Sequence, residues 1–324
     1  MANKRIADSI DPSKSMPLEQ WLDQVEDIAE DHGYFEPLGP DHSATFLKGS
    51  DTLLVTFETI QSVRDRANHD TPIGWQIAAR NGWSQLCILS HGETWFRHRA
   101  VYSFFDRLID EGTFDEYENV VFYGDQSCGY AAAAYSVAAP GSVVLALSPQ
   151  ASLDPRVCEW DDRFHHMRRT SFTDRYGYAP DMLEAALACF ILYDPETEAD
   201  AMHAALFSGT NITRVRCRHL GCEIETFLRR MDVLEPILKK AAKGKLRAFD
   251  IYAALRERRN YLPYLRNFLN AVQNTDRPFL TGLMCRSVLS RINTPRFRQQ
   301  LTVSQNALRA EGRRLPNAAP LELV

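Results

Sequence analysis

No stretch of the 324 residues holds about 18 consecutive apolar side chains, the length a helix needs to cross a bilayer. The beginning, Met1-Ala-Asn-Lys-Arg-Ile-Ala-Asp8, lacks the apolar core and cleavage site of a secretory signal, so the cytoplasm is the expected compartment. The seven cysteines include no CxxC pair, which leaves no paired-cysteine redox or zinc motif. Odd in number and mostly set in apolar sequence, they read as reduced, largely buried thiols. No signature recurs at a fixed period of about 34 residues, so the chain is not read as a helical solenoid. A strong charge is also missing, since 37 basic and 42 acidic residues leave only −5. That balance hides a division. Residues 1–225 carry 18 basic and 35 acidic groups, whereas residues 226–324 carry 19 and 7. The sign reverses along the chain, which marks a domain or subdomain boundary.

What is present is a core-forming sequence, 45% hydrophobic, with a regular alternation. After a polar tail to Ser15, Leu18, Trp21, Leu22, Val25, Ile28 and Ala29 recur at helical spacing and Gly33 offers a stop. Short apolar runs then alternate with helix-length segments: Leu53–Phe57, Leu86–Leu89, Val120–Tyr123, Val143–Leu147, Phe190–Tyr193 and the more polar Ile212–Cys217. Runs of four to six residues between helices predict a mostly parallel sheet covered on both faces. Beyond about residue 223 only helical periods remain, the last two opened by Pro278 and Pro295. The expected organisation is therefore a tail and helix over 1–33, an α/β domain over 34–222, and a basic helical region over 223–324.

One segment carries a chemical motif. Val120-Val-Phe-Tyr-Gly124-Asp125-Gln126-Ser127-Cys128-Gly129 lies where a strand gives way to a small-residue helix. It resembles the nucleophile elbow, GxSxG, of the α/β-hydrolase superfamily, which implies that fold over the α/β domain, with three layers. With Gly124 as the first glycine, Gln126 falls at the nucleophile position and Cys128 at the second glycine. Shifting by one residue makes Ser127 the nucleophile with Gly129 behind it, but puts Asp125 where a small side chain is wanted. The resemblance implies an acid at Asp194, with Asp200 as the alternative, and a base at His219; Ser, Asp, His is the superfamily's chain order. It also implies oxyanion donors near Glu58 and Thr59, or near His91 and Gly92.

Nearly the whole chain is similar to a bacterial family labelled phosphoadenosine phosphosulfate reductase. The likeness is carried by Gly33-Tyr-Phe-Glu-Pro-Leu-Gly39, Thr94-Trp-Phe-Arg97, Arg175-Tyr-Gly-Tyr-Ala-Pro-Asp-Met182 and Pro263-Tyr-Leu265. Neither the SGGxDS loop nor the ECGxH cysteine of such a reductase occurs, so reductase activity is not expected. Ser148-Pro-Gln150 resembles hydrolase-like proteins associated with surface-polysaccharide synthesis, which implies a context rather than a reaction.

Two further clusters invite a function. Arg163, His165, His166, Arg168, Arg169 and Arg175 interleave with aromatics between two strands near 155–182, where the superfamily inserts a lid. With Trp95 and Arg97 they suggest a clamp for an anionic small molecule or a carbohydrate, or else a surface loop whose arginines pair with Asp161, Asp162 and Asp174. Cys217, His219 and Cys222 have poor ligand spacing and no fourth partner, so neither a metal nor another cofactor is expected. The basic C-terminal helices suit a protein partner or the acidic body; nucleic acid is the less favoured partner. Two functions follow. The first is a pseudoenzyme, a non-catalytic binding or scaffolding module with a degenerate elbow. The alternative is a serine hydrolase or acyltransferase acting on an ester or acyl-carbohydrate through Ser127, His219 and Asp194.

Overall fold

The computed structural model describes residues 16–66 and 71–316; the polar tail to Ser15 lies outside them. Its strands are β1 (Gly33–Pro37), β2 (His42–Leu47), β3 (Thr52–Thr59), β4 (Ser84–Ser90), β5 (Asn119–Asp125), β6 (Val143–Leu147), β7 (Ala188–Tyr193) and β8 (Ile212–Arg216). They form one sheet in the order β1-β2-β4-β3-β5-β6-β7-β8. β2 runs antiparallel to both neighbours, and every pairing from β4 to β8 is parallel. The inner strands are buried on both faces, which is why they read as unbroken apolar runs. β8 lies at the edge, and only Val215 of its five residues is fully buried.

Helices cover both faces. α1 (Leu18–His32) buries Trp21, Val25 and Ala29, four residues apart, as one stripe. That stripe packs with α2 (Ile60–Arg64) and Trp75 of α3 (Ile73–Asn81) against Cys87 and Leu89 of β4. Leu86 and Ile88, the alternate residues of the same strand, belong to a separate core with α4 (Arg99–Asp110) and α5 (Ser127–Tyr135). α5 is buried from Cys128 to Tyr135, and its four consecutive alanines leave it close to β5 and β6. α6 (Pro155–Cys158) and α7 (Glu198–Leu206) flank the later strands.

After β8 the described chain is helical: α8 (Ile224–Arg230), α9 (Leu234–Ala241), α10 (Ala248–Ala254), α11 (Leu262–Gln273), α12 (Pro278–Leu289) and α13 (Pro295–Ala310). Pro278 and Pro295 open α12 and α13, where a missing N–H costs nothing. Two compact units divide after Ala253. α8, α9 and nearly all of α10 thus belong with the sheet, and α9 packs on β6, so the charge reversal and the division of the chain fall at different places. Among the described residues no helix is long and apolar enough to cross a membrane.

Candidate functional site

The site is built on the turn between β5 and α5. β5 ends at Asp125, α5 begins at Ser127, and Gln126 between them has φ 54° and ψ −120°. That is the first central position of a type II′ turn, where a non-glycine residue stores about 1–3 kcal/mol of strain. The turn is tied on both sides: Gln126 N–H donates to the Leu147 carbonyl at 2.8 Å, and Tyr130 N–H to the Gln126 carbonyl at 2.9 Å. Small residues are a steric requirement beside it. A Cβ on Gly124 would lie 2.1 Å from the Cys128 carbonyl oxygen, and one on Gly129 2.9 Å from that of Leu147. A strained, exposed residue at a strand-to-helix turn after the fifth strand, in a sheet with this strand order, decides the architecture. The chain has the α/β-hydrolase fold.

In this hydrolase fold Gln126 holds the apex, and its Nε2 donates to the Cys222 carbonyl at 3.0 Å. Ser127 stands one residue further on, at the start of α5. Asp194, directly after β7, is buried; its carboxylate accepts the N–H groups of Glu196 at 3.0 Å and Gly221 at 2.7 Å. It therefore starts the turn that the Asp-Pro pair suggests and also pins the loop carrying His219, a half-buried residue with φ 64°. Asp200, the alternative acid, lies three residues beyond Thr197, the N-cap of α7. It is buried in the first turn and accepts Arg163 Nη1 at 2.7 Å.

Of the two places where the resemblance implies oxyanion donors, the one at Glu58 and Thr59 holds a buried carboxylate. The buried Glu58 carboxylate accepts Ile73 N–H at 3.1 Å and Gly74 N–H at 3.4 Å, both at the start of α3, and ion-pairs with Arg66. Thr59 caps α2 by accepting Ser62 N–H at 3.1 Å. Arg66 extends to Glu225 on α8 at 3.5 Å, and Glu225 accepts the Tyr123 hydroxyl at 2.8 Å. Burial works against the charge on Arg66, yet Glu58 and then Glu225 outweigh it and hold the guanidinium above its ordinary value.

This network floors a cavity of about 440 Å³ at the elbow. Phe57, Trp95 and Phe164 supply apolar walls, and Arg66, Glu93, Asp125, Gln126, Ser127 and Glu225 the polar ones. His219 is not among the described residues that line it. Trp95 Nε1 and Asp125 Oδ1 are buried with no hydrogen-bond partner among the described residues. Burial, followed by Glu225, pushes the Asp125 carboxyl well above the ordinary carboxylate range.

The basic side chains of the 155–182 insertion are mostly met by carboxylates. Arg163 binds Asp161 at 2.8 Å, His165 meets Asp162 at 2.5 Å, and His166 meets Glu93 at 2.8 Å. Arg97 ion-pairs with Asp174 and donates to the Ser171 carbonyl at 3.1 Å, while Arg175 reaches Asp106 at 2.5 Å. Arg168 and Arg169 are exposed. Beneath them lies a pair the sequence does not signal: His203 Nε2 meets Asp161 at 2.9 Å, and its Nδ1 accepts Ala151 N–H at 3.2 Å, so Nε2 carries the proton. Trp95 and Phe164 are the aromatics of this region that reach the elbow cavity. Six of the seven cysteines are buried, Cys222 being exposed, and no group of three metal-ligating side chains occurs among the described residues.

The loop presenting Glu93 and Trp95 is held by His42, which is buried and lies 2.6 Å from Thr94 Oγ1. Burial, then His98, lowers His42 to about 4. The folded state thus refuses a proton that the unfolded chain takes near pH 6.5, so stability is full above that value and lost as pH falls toward 4. The loss should reach about 3 kcal/mol. A urea midpoint that drops between pH 7 and 4.5, with a smaller drop in His42→Gln, is the expected result; equal drops would remove His42 as the cause.

No family model and no curated protein matches the chain. Solved structures similar in chain path include an esterase from the archaeon Pyrobaculum calidifontis, 13% identical over 75% of this chain and 96% of that one, with a TM-score of 0.41. The capsule O-acetyltransferase of Neisseria meningitidis serogroup A is 10% identical over 61% and 91%, also at 0.41. A glycosylation-associated protein complex from Streptococcus agalactiae is 11% identical over 64% and 46%, at 0.42.

Proposed function

We propose that the chain is a binding module on the α/β-hydrolase scaffold, a pseudoenzyme whose elbow cavity holds a carbohydrate. One observation carries this: a glutamine occupies the strained apex. A carboxamide carries no hydroxyl or thiol, and its N–H protons are far too weakly acidic for a histidine base to remove, so it does not form an acyl intermediate. It does donate and accept hydrogen bonds at once, as recognition of hydroxyl groups requires. The cavity around it combines aromatic walls with carboxyl-bearing side chains, a lining suited to a polyhydroxylated ligand. Three carboxyl-bearing side chains against one already paired arginine argue against an anion in this cavity. A role in surface-polysaccharide synthesis fits this reading and rests on the Ser148-Pro-Gln150 resemblance.

The hydrolase reading keeps one supporting observation, that Ser127 lines the same cavity. Calorimetric titration with neutral and amino-sugar oligosaccharides tests the proposal. Binding of one of them without turnover is expected, weakened by about fivefold or more in Gln126→Ala, where a solvent-exposed side chain is truncated and the fold retained. Absence of binding across the panel, or binding indifferent to Gln126→Ala, would count against it.

A further inference from the structure

We propose that the cleft between α3, α8 and α9 binds the phosphate group of a small phosphorylated ligand. The inference does not depend on the reading of the elbow. The cleft has a volume of about 540 Å³ and shares no lining residue with the elbow cavity. Arg80, Arg229, Arg230 and Lys239 face it, against Asp232 and Glu235. Glu235 is already committed, accepting Arg80 at 3.1 Å, Asn81 at 3.2 Å and Lys239 at 3.0 Å. Arg229, Arg230 and Asp232 remain; neither arginine side chain has a hydrogen-bond or ion-pair partner among the described residues, and Asp232 is not among the groups that act on Arg229.

Arg229 is half-buried, and burial followed by the nearby Arg66 pulls its guanidinium below its ordinary value, with Glu225 offsetting part. A charge that the fold desolvates and does not pair is a cost, and a bound anion removes it. Both arginines line this one cleft, and a guanidinium fork matches the oxygens of a phosphate, which accept in bidentate fashion. The first turn of α9 opens on the same cleft, and its N-cap, Val233, has no side-chain acceptor to close it. Glu225 and Arg229 lie one turn apart on α8, the first turned to the elbow cavity and the second to this cleft.

The test uses the full chain with inorganic phosphate and pyrophosphate, read by thermal shift and calorimetry. Pyrophosphate should raise the melting temperature of the wild type. The double variant Arg229→Gln, Arg230→Gln should weaken binding by about tenfold or more. Its melting temperature without ligand should hold or rise, because the unpaired, partly desolvated charge of Arg229 is gone; a fall would mean that the arginines serve the fold instead. Three binding results would overturn the proposal: no response in the wild type, unchanged affinity in the double variant, or loss of binding in Arg309→Gln, Arg314→Gln instead. The last pair lines a separate arginine-rich cavity at the end of α13.

Discussion

Replacing Glu58 with alanine should cost the fold about 3–5 kcal/mol, because it removes one partner of a buried ion pair and leaves the other charged. Both side chains are nearly excluded from solvent, Arg66 at 8% and Glu58 at 2% exposure. Alanine leaves Arg66 with Glu225 at 3.5 Å as its remaining ion-pair partner among the described residues. It also strips the first turn of α3 of the acceptor for Ile73 and Gly74 N–H. Guanidinium chloride midpoints read the loss. The double variant Glu58→Leu, Arg66→Met should recover part of it, since apolar groups of similar size replace the desolvated pair, while Glu225 loses its cation and the two α3 N–H groups stay without their acceptor. A loss in Glu58→Ala below about 1 kcal/mol, the range of exposed pairs, would mean that the pair is solvated.

The second large effect is steric. Gly124→Ala places a methyl group 2.1 Å from the Cys128 carbonyl oxygen, a backbone atom that no rotamer change can move away. Relief requires displacing α5, which is buried along almost its whole length, or β5, which is paired on both sides. A destabilisation of about 3 kcal/mol or more is expected, at the upper end of overpacking effects. Gly92→Ala is the internal control: it lines the same cavity, yet a Cβ there meets nothing within 4 Å. That change should stay within about 0.5 kcal/mol of wild type. Equal losses in the two variants would contradict the close approach at the elbow.

The sheet interior is legible in the sequence because parallel strands buried on both faces leave continuous apolar runs such as Val143–Leu147. β1 and β2 are not, since Gly33–Pro37 and His42–Leu47 are short, mixed in polarity and separated by Gly39 and Pro40. The elbow is visible as a place but ambiguous in register. Gly124 and Gly129 bracket both Gln126 and Ser127, and only the backbone, with its positive φ at Gln126, separates them. The network beneath the cavity is silent in sequence. Glu58, Arg66, Tyr123 and Glu225 lie on different elements that only the sheet brings together, and no local spacing connects them. The same holds for Arg229, whose significance comes from partial burial without a paired acceptor, a property of the packed chain rather than of its helix.

Exposure of the purified protein to a fluorophosphonate probe, with mass spectrometry to locate any adduct, tests most directly whether the elbow binds or cleaves. With Gln126 at the apex no adduct should form, and wild type and Ser127→Ala should be indistinguishable. A stoichiometric adduct on Ser127, abolished by Ser127→Ala and by His219→Ala, would contradict the binding-module reading and establish the serine hydrolase.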